Sequence, residues 1–247
     1  MSATGRKRHA KRPAPREVLT EVYPELWELP ADQQTVRDAD DNYATPAWCT
    51  RALLLRLQEQ RIIPSPRRFC RLDILEPCAG AGAIVEVLGQ ELPEADVRSV
   101  ELDKGRAVRC TRLARRYGNA PTVCADFLAL SADWTGEWWP QLVITNPPYR
   151  QARQFVDAAR HAAFLRQGHV AMLLRLNFLG SQARAGWLRD DMPDVNVLAK
   201  RPSFTPDGKT DATEYAWFVW GPGRSAFVWV LDLDERDQHL LASGRKT

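Results

Sequence analysis

No apolar run in this chain reaches the roughly 18 residues that a helix needs to cross a bilayer. The amino terminus, MSATGRKRHAKR, puts polar and basic residues where a secretory signal would carry an apolar stretch. The expectation is a soluble cytoplasmic protein without membrane contact. Cysteine is sparse: Cys49, Cys70, Cys78, Cys110 and Cys124 form no CxxC pair, and no His/Cys cluster has zinc spacing. They are expected to be reduced thiols, and no metal site is expected. Net charge is scarce too, at +3, but it is unevenly spread. Arg6, Lys7, Arg8, Lys11, Arg12 and Arg16 contribute +6 before the first acid, Glu17, which leaves −3 for the remainder. A basic tail of this kind either binds phosphates non-specifically or is a disordered solubilising segment, and the sequence supports both equally.

Hydrophobic residues make up 45% of the 247, enough for one full α/β domain with a large core. Composition divides the chain into three segments. Residues 1–16 read as a disordered basic tail and residues 17–40 as an irregular extension whose Tyr23, Leu26 and Trp27 pack onto the domain. Residues 41–247 read as the domain itself.

A buried strand is predicted over Arg71–Glu76, followed by Pro77-Cys78-Ala79-Gly80-Ala81-Gly82 and a helix over Ala83–Glu91. Gly80 and Gly82 suit a tight turn and close approach of a ligand to backbone. The third glycine of a dinucleotide loop is missing, because Val85 stands there, so a nicotinamide dinucleotide is disfavoured. A second strand, Asp96–Glu101, ends in a carboxylate suited to ribose hydroxyls. A third, Thr122–Cys124, is followed by Asp126 and Phe127. The helix between them, Asp103–Arg116, carries arginines that could touch a phosphate backbone but read more readily as solvated. Ahead of the first strand, Pro46–Arg61 reads as a helix with Thr45 as N-cap and Pro46 in the first helical position.

The stretch Gln141–Arg150, QLVITNPPYR, carries the chemistry. Leu142, Val143 and Ile144 form a short apolar strand. Pro147 and Pro148 stiffen the loop at its end. Asn146 and the Pro147 carbonyl can together accept both N–H bonds of one planar NH2 group, and Tyr149 offers a face for a flat conjugated group.

This string resembles the Asn-Pro-Pro-aromatic motif of the S-adenosylmethionine-dependent amino-methyltransferases, which act on adenine N6 in DNA and RNA or on glutamine N5 in protein. Four further matches fall in the family's order. Tyr43-Ala44-Thr45-Pro46 is similar to the segment that closes over the methionine end of the cofactor. Glu76-Pro77-Cys78-Ala79-Gly80-Ala81-Gly82 looks like the acidic, glycine-bearing loop whose acid holds the methionine ammonium. Glu101, followed by Leu102, matches the ribose site. Asp126 matches the acceptor of the adenine amino group, with Phe127 against the ring. The resemblance implies a Rossmann-like α/β fold: a seven-stranded, mostly parallel sheet with helices on both faces and a C-terminal antiparallel hairpin. It implies S-adenosyl-L-methionine as cofactor, Asn146, Pro147, Pro148 and Tyr149 as the catalytic loop, and Phe204 opposite that loop on the target base. Lys200 and Arg201 are expected to contact substrate.

The remaining chain supplies a helix over Gln151–Arg166 with His161 at its surface, a strand over Val170–Leu176, a helix over Gly180–Arg189 and a strand over Val195–Ala199. Thr205–Asp211 reads as a polar turn. Glu214–Trp220 and Ala226–Leu231, joined by Gly221-Pro222-Gly223, read as a closing hairpin. Trp134, Trp138 and Trp139 are either packing residues or a platform for bases. No large target-recognition domain is expected: about twenty residues separate Asp126 from Asn146 and fewer than thirty follow Trp220. The implied activity is methyl transfer to adenine N6 of DNA with relaxed sequence specificity, of a phage or prophage type working in the bacterial or phage-infected cell. RNA adenine and protein glutamine remain alternatives, as does a non-catalytic nucleic-acid-binding module, against which the intact Glu76, Gly80, Gly82, Glu101, Asp126 and Asn146 argue.

Overall fold

A computed structural model describes residues 44–64, 71–132, 138–204, 210, 212–223 and 225–232. The predicted tail, the extension, Tyr43, Cys70, Trp134 and most of the Thr205–Asp211 turn lie outside them. The elements in chain order are α1 (Ala47–Glu59), β1 (Asp73–Glu76), α2 (Ala83–Glu91), β2 (Asp96–Glu101), α3 (Lys104–Arg116), β3 (Val123–Cys124), α4 (Phe127–Ala132), β4 (Leu142–Thr145), α5 (Ala152–Ala163), β5 (His169–Arg175), α6 (Gln182–Asp190), β6 (Asp194–Leu198), β7 (Tyr215–Trp220) and β8 (Val228–Leu231). No helix among the described residues is long and apolar enough to cross a membrane.

The strands form one eight-stranded sheet in the order β3-β2-β1-β4-β5-β7-β6-β8. β3, β2, β1, β4 and β5 pair in parallel, and β7 runs antiparallel to both β5 and β6. Period-2 alternation sorts the side chains of these strands onto two faces. Ile74, Leu142, Ile144, Leu173 and Trp217 join Leu53, Leu57, Val85 and Leu88 of α1 and α2 in one cluster. Leu75, Val143, Met172, Leu174 and Phe218 meet Phe127, Phe155, Val156 and Leu188 in the other. Each fully buried Leu, Ile or Phe contributes about 1.5–3 kcal/mol, so a short apolar strand such as β4 is held in register by both faces at once.

The closing hairpin differs from expectation. Both strands exist, but β7 does not pair with β8. The 221–227 link crosses the start of β6, where the Asp194 carboxylate accepts the Phe227 N–H at 3.1 Å and the Val195 N–H reaches the Phe227 carbonyl at 2.8 Å. β8 then lies parallel to β6, with Val195 opposite Val228. The antiparallel consecutive pair is β6 with β7. This extra edge strand brings the count to eight rather than seven. The Trp138 indole bonds Asp96 at 3.2 Å beneath the Arg98 guanidinium, at the amino end of β2, so of its two roles it takes packing.

Candidate active site

Because β1, β2, β3, β4 and β5 are parallel, their carboxyl ends share one edge of the sheet, and β6, antiparallel to β7, ends there too. Glu76, Glu101, Asp126, Asn146, Arg175 and the Lys200–Phe204 segment therefore come from separate parts of the sequence to one rim. This is the edge at which open α/β sheets take ligands.

Glu76 closes β1 and is fully buried. Its Oε1 accepts the Thr145 hydroxyl at 2.6 Å and the Cys78 N–H at 3.0 Å. Its Oε2 is buried with no hydrogen-bond partner. Burial pushes the carboxyl up to about 8, against the two hydrogen bonds that pull it down, and the nearby Glu101 raises it further. Glu101 accepts the Gly80 N–H at 2.7 Å, the Asp103 N–H at 2.8 Å and the Arg106 Nε–H at 2.9 Å, so it fastens the glycine loop to the tip of β2. Gly80 and Gly82 both have left-handed backbones, with φ of 54° and 103°. A Cβ on Gly82 would lie 2.6 Å from Leu113 Cδ2 and 3.3 Å from Cys110 Sγ. Gly82 thus packs closely against α3.

Asn146 leaves β4 half-buried, and its Nδ2 donates to Thr45 Oγ1 at 3.1 Å across 101 residues of sequence. Thr45 does not cap α1: the N-cap position is Pro46, and no side-chain cap bond forms. The buried Thr45 hydroxyl instead fixes the orientation of the Asn146 amide, so the Oδ1 end is the one left to accept. The Pro148 carbonyl is spent on the Gln151 N–H at 3.0 Å, which starts the 3-10 turn over Tyr149–Gln151. Pro147 is then the carbonyl beside Asn146.

Tyr149 and Phe204 both lean on Tyr215, with ring centroids 5.9 Å and 5.0 Å away. Sequence reasoning placed these two aromatics together, and they share this ring. Burial, with Tyr215 close by, pushes the Tyr149 phenol up, so it stays protonated and cannot serve as a base. Leu102 is 69% exposed beside Glu101, an open apolar surface at the tip of β2. Asp126 is exposed and caps α4 through the Leu128 N–H at 2.9 Å. Phe127 departs from expectation: it is 2% exposed and stacks on Phe155 at 5.8 Å, so its ring belongs to the core and not to a ligand face. Lys200 is exposed, and Arg201 is paired with Glu214, whose carboxyl it holds below its usual range. Among the described residues no group of His, Cys, Asp and Glu could hold a metal ion.

Sequence reasoning missed Arg175 and Tyr215. Arg175 ends β5 with its guanidinium carbon 5.0 Å from the Tyr149 ring centroid and its Nε 3.3 Å from the Tyr215 hydroxyl. The signal available was its position, a cation at the end of the strand next to β4.

Comparison with solved structures decides the fold. A protein from Pyrococcus horikoshii provisionally assigned as an RNA methyltransferase superposes with a TM-score of 0.56 at 15% identity, covering 82% of this chain and 97% of that one. The human methyltransferase 10 domain containing protein gives a TM-score of 0.50 at 14% identity, over 71% and 83% of the two chains. This is the Rossmann-like methyltransferase fold.

Curated relatives of this methyltransferase fold match over shorter stretches. The release factor glutamine methyltransferase of Streptomyces coelicolor is 35% identical over 83 residues, 32% of this chain and 28% of its own length. The modification methylase CviBIII of Paramecium bursaria Chlorella virus NC1A is 34% identical over 77 residues, 31% of this chain and 19% of its own length. The chain thus spans less than a third of either relative. No family model matches it. For a methyltransferase cofactor the residues present fit: Glu76 Oε2 is buried with no hydrogen-bond partner, and the loop from Pro77 to Gly82 leads from it to Glu101 and the open Leu102.

Proposed function

We propose that this protein transfers a methyl group from S-adenosylmethionine to a planar NH2 group, the exocyclic N6 amine of adenine in DNA, with relaxed sequence specificity. The observation that carries the reading is the Asn146 amide held by Thr45 at the end of β4, with Pro147 and Tyr149 following it in the loop and Phe204 sharing the Tyr215 ring with Tyr149. Glu76 would receive the methionine ammonium, Thr45 and Pro46 would flank that end, and Pro77, Cys78 and Gly80 would line it. Glu101 would accept ribose hydroxyls, Leu102 would cover the adenine ring, and Asp126 would accept its amino group. S-adenosylmethionine, once bound, supplies a methyl group on a cationic sulfur.

An adenine amine is a poor nucleophile because its lone pair is delocalised into the ring. Asn146 Oδ1 and the Pro147 carbonyl, accepting its two N–H bonds, favour the pyramidal nitrogen on which positive charge develops. They therefore bind the transition state better than the ground state. The methyl group would pass from the cofactor's sulfur to the amine nitrogen, which would then lose one proton to water, so no base would be needed before transfer. In duplex DNA the base must leave the stack, and Tyr149 and Phe204 would hold it once it has left.

Glutamine in a protein is the second reading, favoured by the local match to the release factor enzyme and by the fact that a carboxamide is also a planar NH2 donor. Incubation with labelled cofactor and, separately, duplex DNA, single-stranded DNA, RNA and a glutamine peptide, followed by identification of the modified unit, separates the two. Asn146→Ala should keep cofactor affinity and lose transfer. Thr45→Val should cost about one hydrogen bond, roughly 0.5–1.5 kcal/mol, or roughly a 2–13-fold drop in kcat. Wild-type turnover by Asn146→Ala would end this assignment.

A further inference from the structure

β8 leaves one side of its backbone open. Toward β6, the Phe227 carbonyl accepts the Val195 N–H at 2.8 Å, and the Leu231 carbonyl accepts the Ala199 N–H at 3.0 Å. With Val195 opposite Val228 and Val197 opposite Val230, this pattern turns the backbone groups of Phe227, Trp229 and Leu231 to β6 and those of Val228 and Val230 away from it. No strand among the described residues takes these outward N–H and C=O groups. The exposed parts of Phe227, Val228, Trp229 and Val230 leave on the order of 400 Å² of largely apolar surface beside them. That is about half of what each side of a standard interface buries.

Phe227-Val228-Trp229-Val230-Leu231 has the same character read from either end. Laid antiparallel on a second copy with Trp229 opposite Trp229, it sets Val228 opposite Val230 and Phe227 opposite Leu231. In that register the outward groups meet: each Val228 exchanges both N–H···O bonds with the opposed Val230, and Trp229 takes the closer, non-hydrogen-bonded position on the axis. A slip of one residue would set outward groups against groups already bonded to β6. On the face away from α1 the four valines form two cross-strand pairs, and apolar pairs of this kind favour strand association. No like charges meet, because Asp232, the sole charged residue of 226–232, falls opposite Ala226.

We propose that β8 pairs antiparallel with β8 of a second copy, in the register that opposes the two Trp229 residues, and so joins two sheets into one. The modest area makes this a weak dimer that forms and parts with concentration. A two-fold axis normal to the sheet reverses the strands from one copy to the next. The two rims holding Asn146 then open on opposite edges of the joined sheet, and the pairing covers neither. The inference is independent of what that rim methylates.

The test is sedimentation velocity of the full-length protein over a dilution series under reducing conditions. The wild type should pass from monomer to dimer as concentration rises, and V228K/V230K, with an unchanged urea midpoint, should stay monomeric. Register is read by oxidation of V228C and V230C, alone and mixed, with the wild type as background for the native cysteines. Opposed residues of a hydrogen-bonded antiparallel pair have Cα atoms about 5.5 Å apart, within the roughly 4.4–6.8 Å that a disulfide spans. Two copies of one variant place their cysteines two positions out of register, roughly 7–8 Å apart and too far to bridge. The mixture should therefore yield an intermolecular disulfide that neither variant yields alone. A wild type that is monomeric at every concentration overturns the pairing, as does a dimer that V228K/V230K leaves intact. A mixture that cross-links no more than either variant alone overturns it as well.

Discussion

Glu76 carries the sharpest consequence of burial in the molecule. A carboxyl at about 8 in the native state, against an ordinary value of 4.5, keeps its proton through that window only when the chain is folded. The native state then binds more protons at this group than the unfolded one, so the contribution of Glu76 to stability is fully present below about 4.5 and falls as pH rises toward 8. Glu76→Gln should flatten this decline, which thermal melts at pH 5 and pH 8 would register. A cationic amine against Oε2 would pull the carboxyl back toward ionisation. Cofactor binding near pH 7 should therefore release a proton in the wild type and none in Glu76→Gln. Calorimetry in buffers of different ionisation enthalpy measures that release, and its absence in the wild type would remove Glu76 from the cofactor site.

The loop between β1 and α2 separates what could be read from sequence from what could not. Its glycines were legible as a turn, because a left-handed backbone excludes most side chains. The reason for Gly82 was not, since Leu113 and Cys110 lie in a helix whose approach is set by the folded sheet. Likewise β1, β2 and β4 were readable from their apolar runs, as was the convergence of their carboxyl ends. The partner of Thr45, 101 residues away, and the crossing of β6 by the last link depend on tertiary placement that no local pattern encodes. Phe127 failed for a related reason: an aromatic beside a strand-end acid suits a ligand face and a core face equally, and Phe155 settled which. Gly82→Ala should combine backbone strain with a steric clash and cost about 2–4 kcal/mol. Gly118→Ala, at φ 74° with nothing within 4 Å of its Cβ, should cost only the strain, about 1–2 kcal/mol. Urea denaturation of both variants compares them. Equal losses would mean that α3 yields to the added methyl and that Gly82 serves the turn alone.

At the scale of the whole molecule, the sheet closes on an edge that nothing described covers. β8 follows β6 at the end of the strand order, and Phe227, Val228, Trp229 and Val230 are 57%, 65%, 45% and 68% exposed. Alternation puts Trp229 and Leu231 on the α1 side, where the Arg56 guanidinium lies 3.8 Å over the indole. Val228 and Val230 share the opposite face. An apolar edge strand with outward N–H and C=O groups is a template for pairing with another strand. Replacing both valines by lysine removes no buried contact, so V228K/V230K should unfold within about 1 kcal/mol of wild type. Charge on the edge should at the same time suppress concentration-dependent association. Sedimentation velocity and light scattering over a dilution series check this, beside denaturant melts of both proteins. If the wild type sediments and scatters like the variant at every concentration, the edge is harmless as it stands. If the variant loses several kcal/mol, Val228 and Val230 pack against chain that contributes to the fold, and the exposed face belongs to the structured domain.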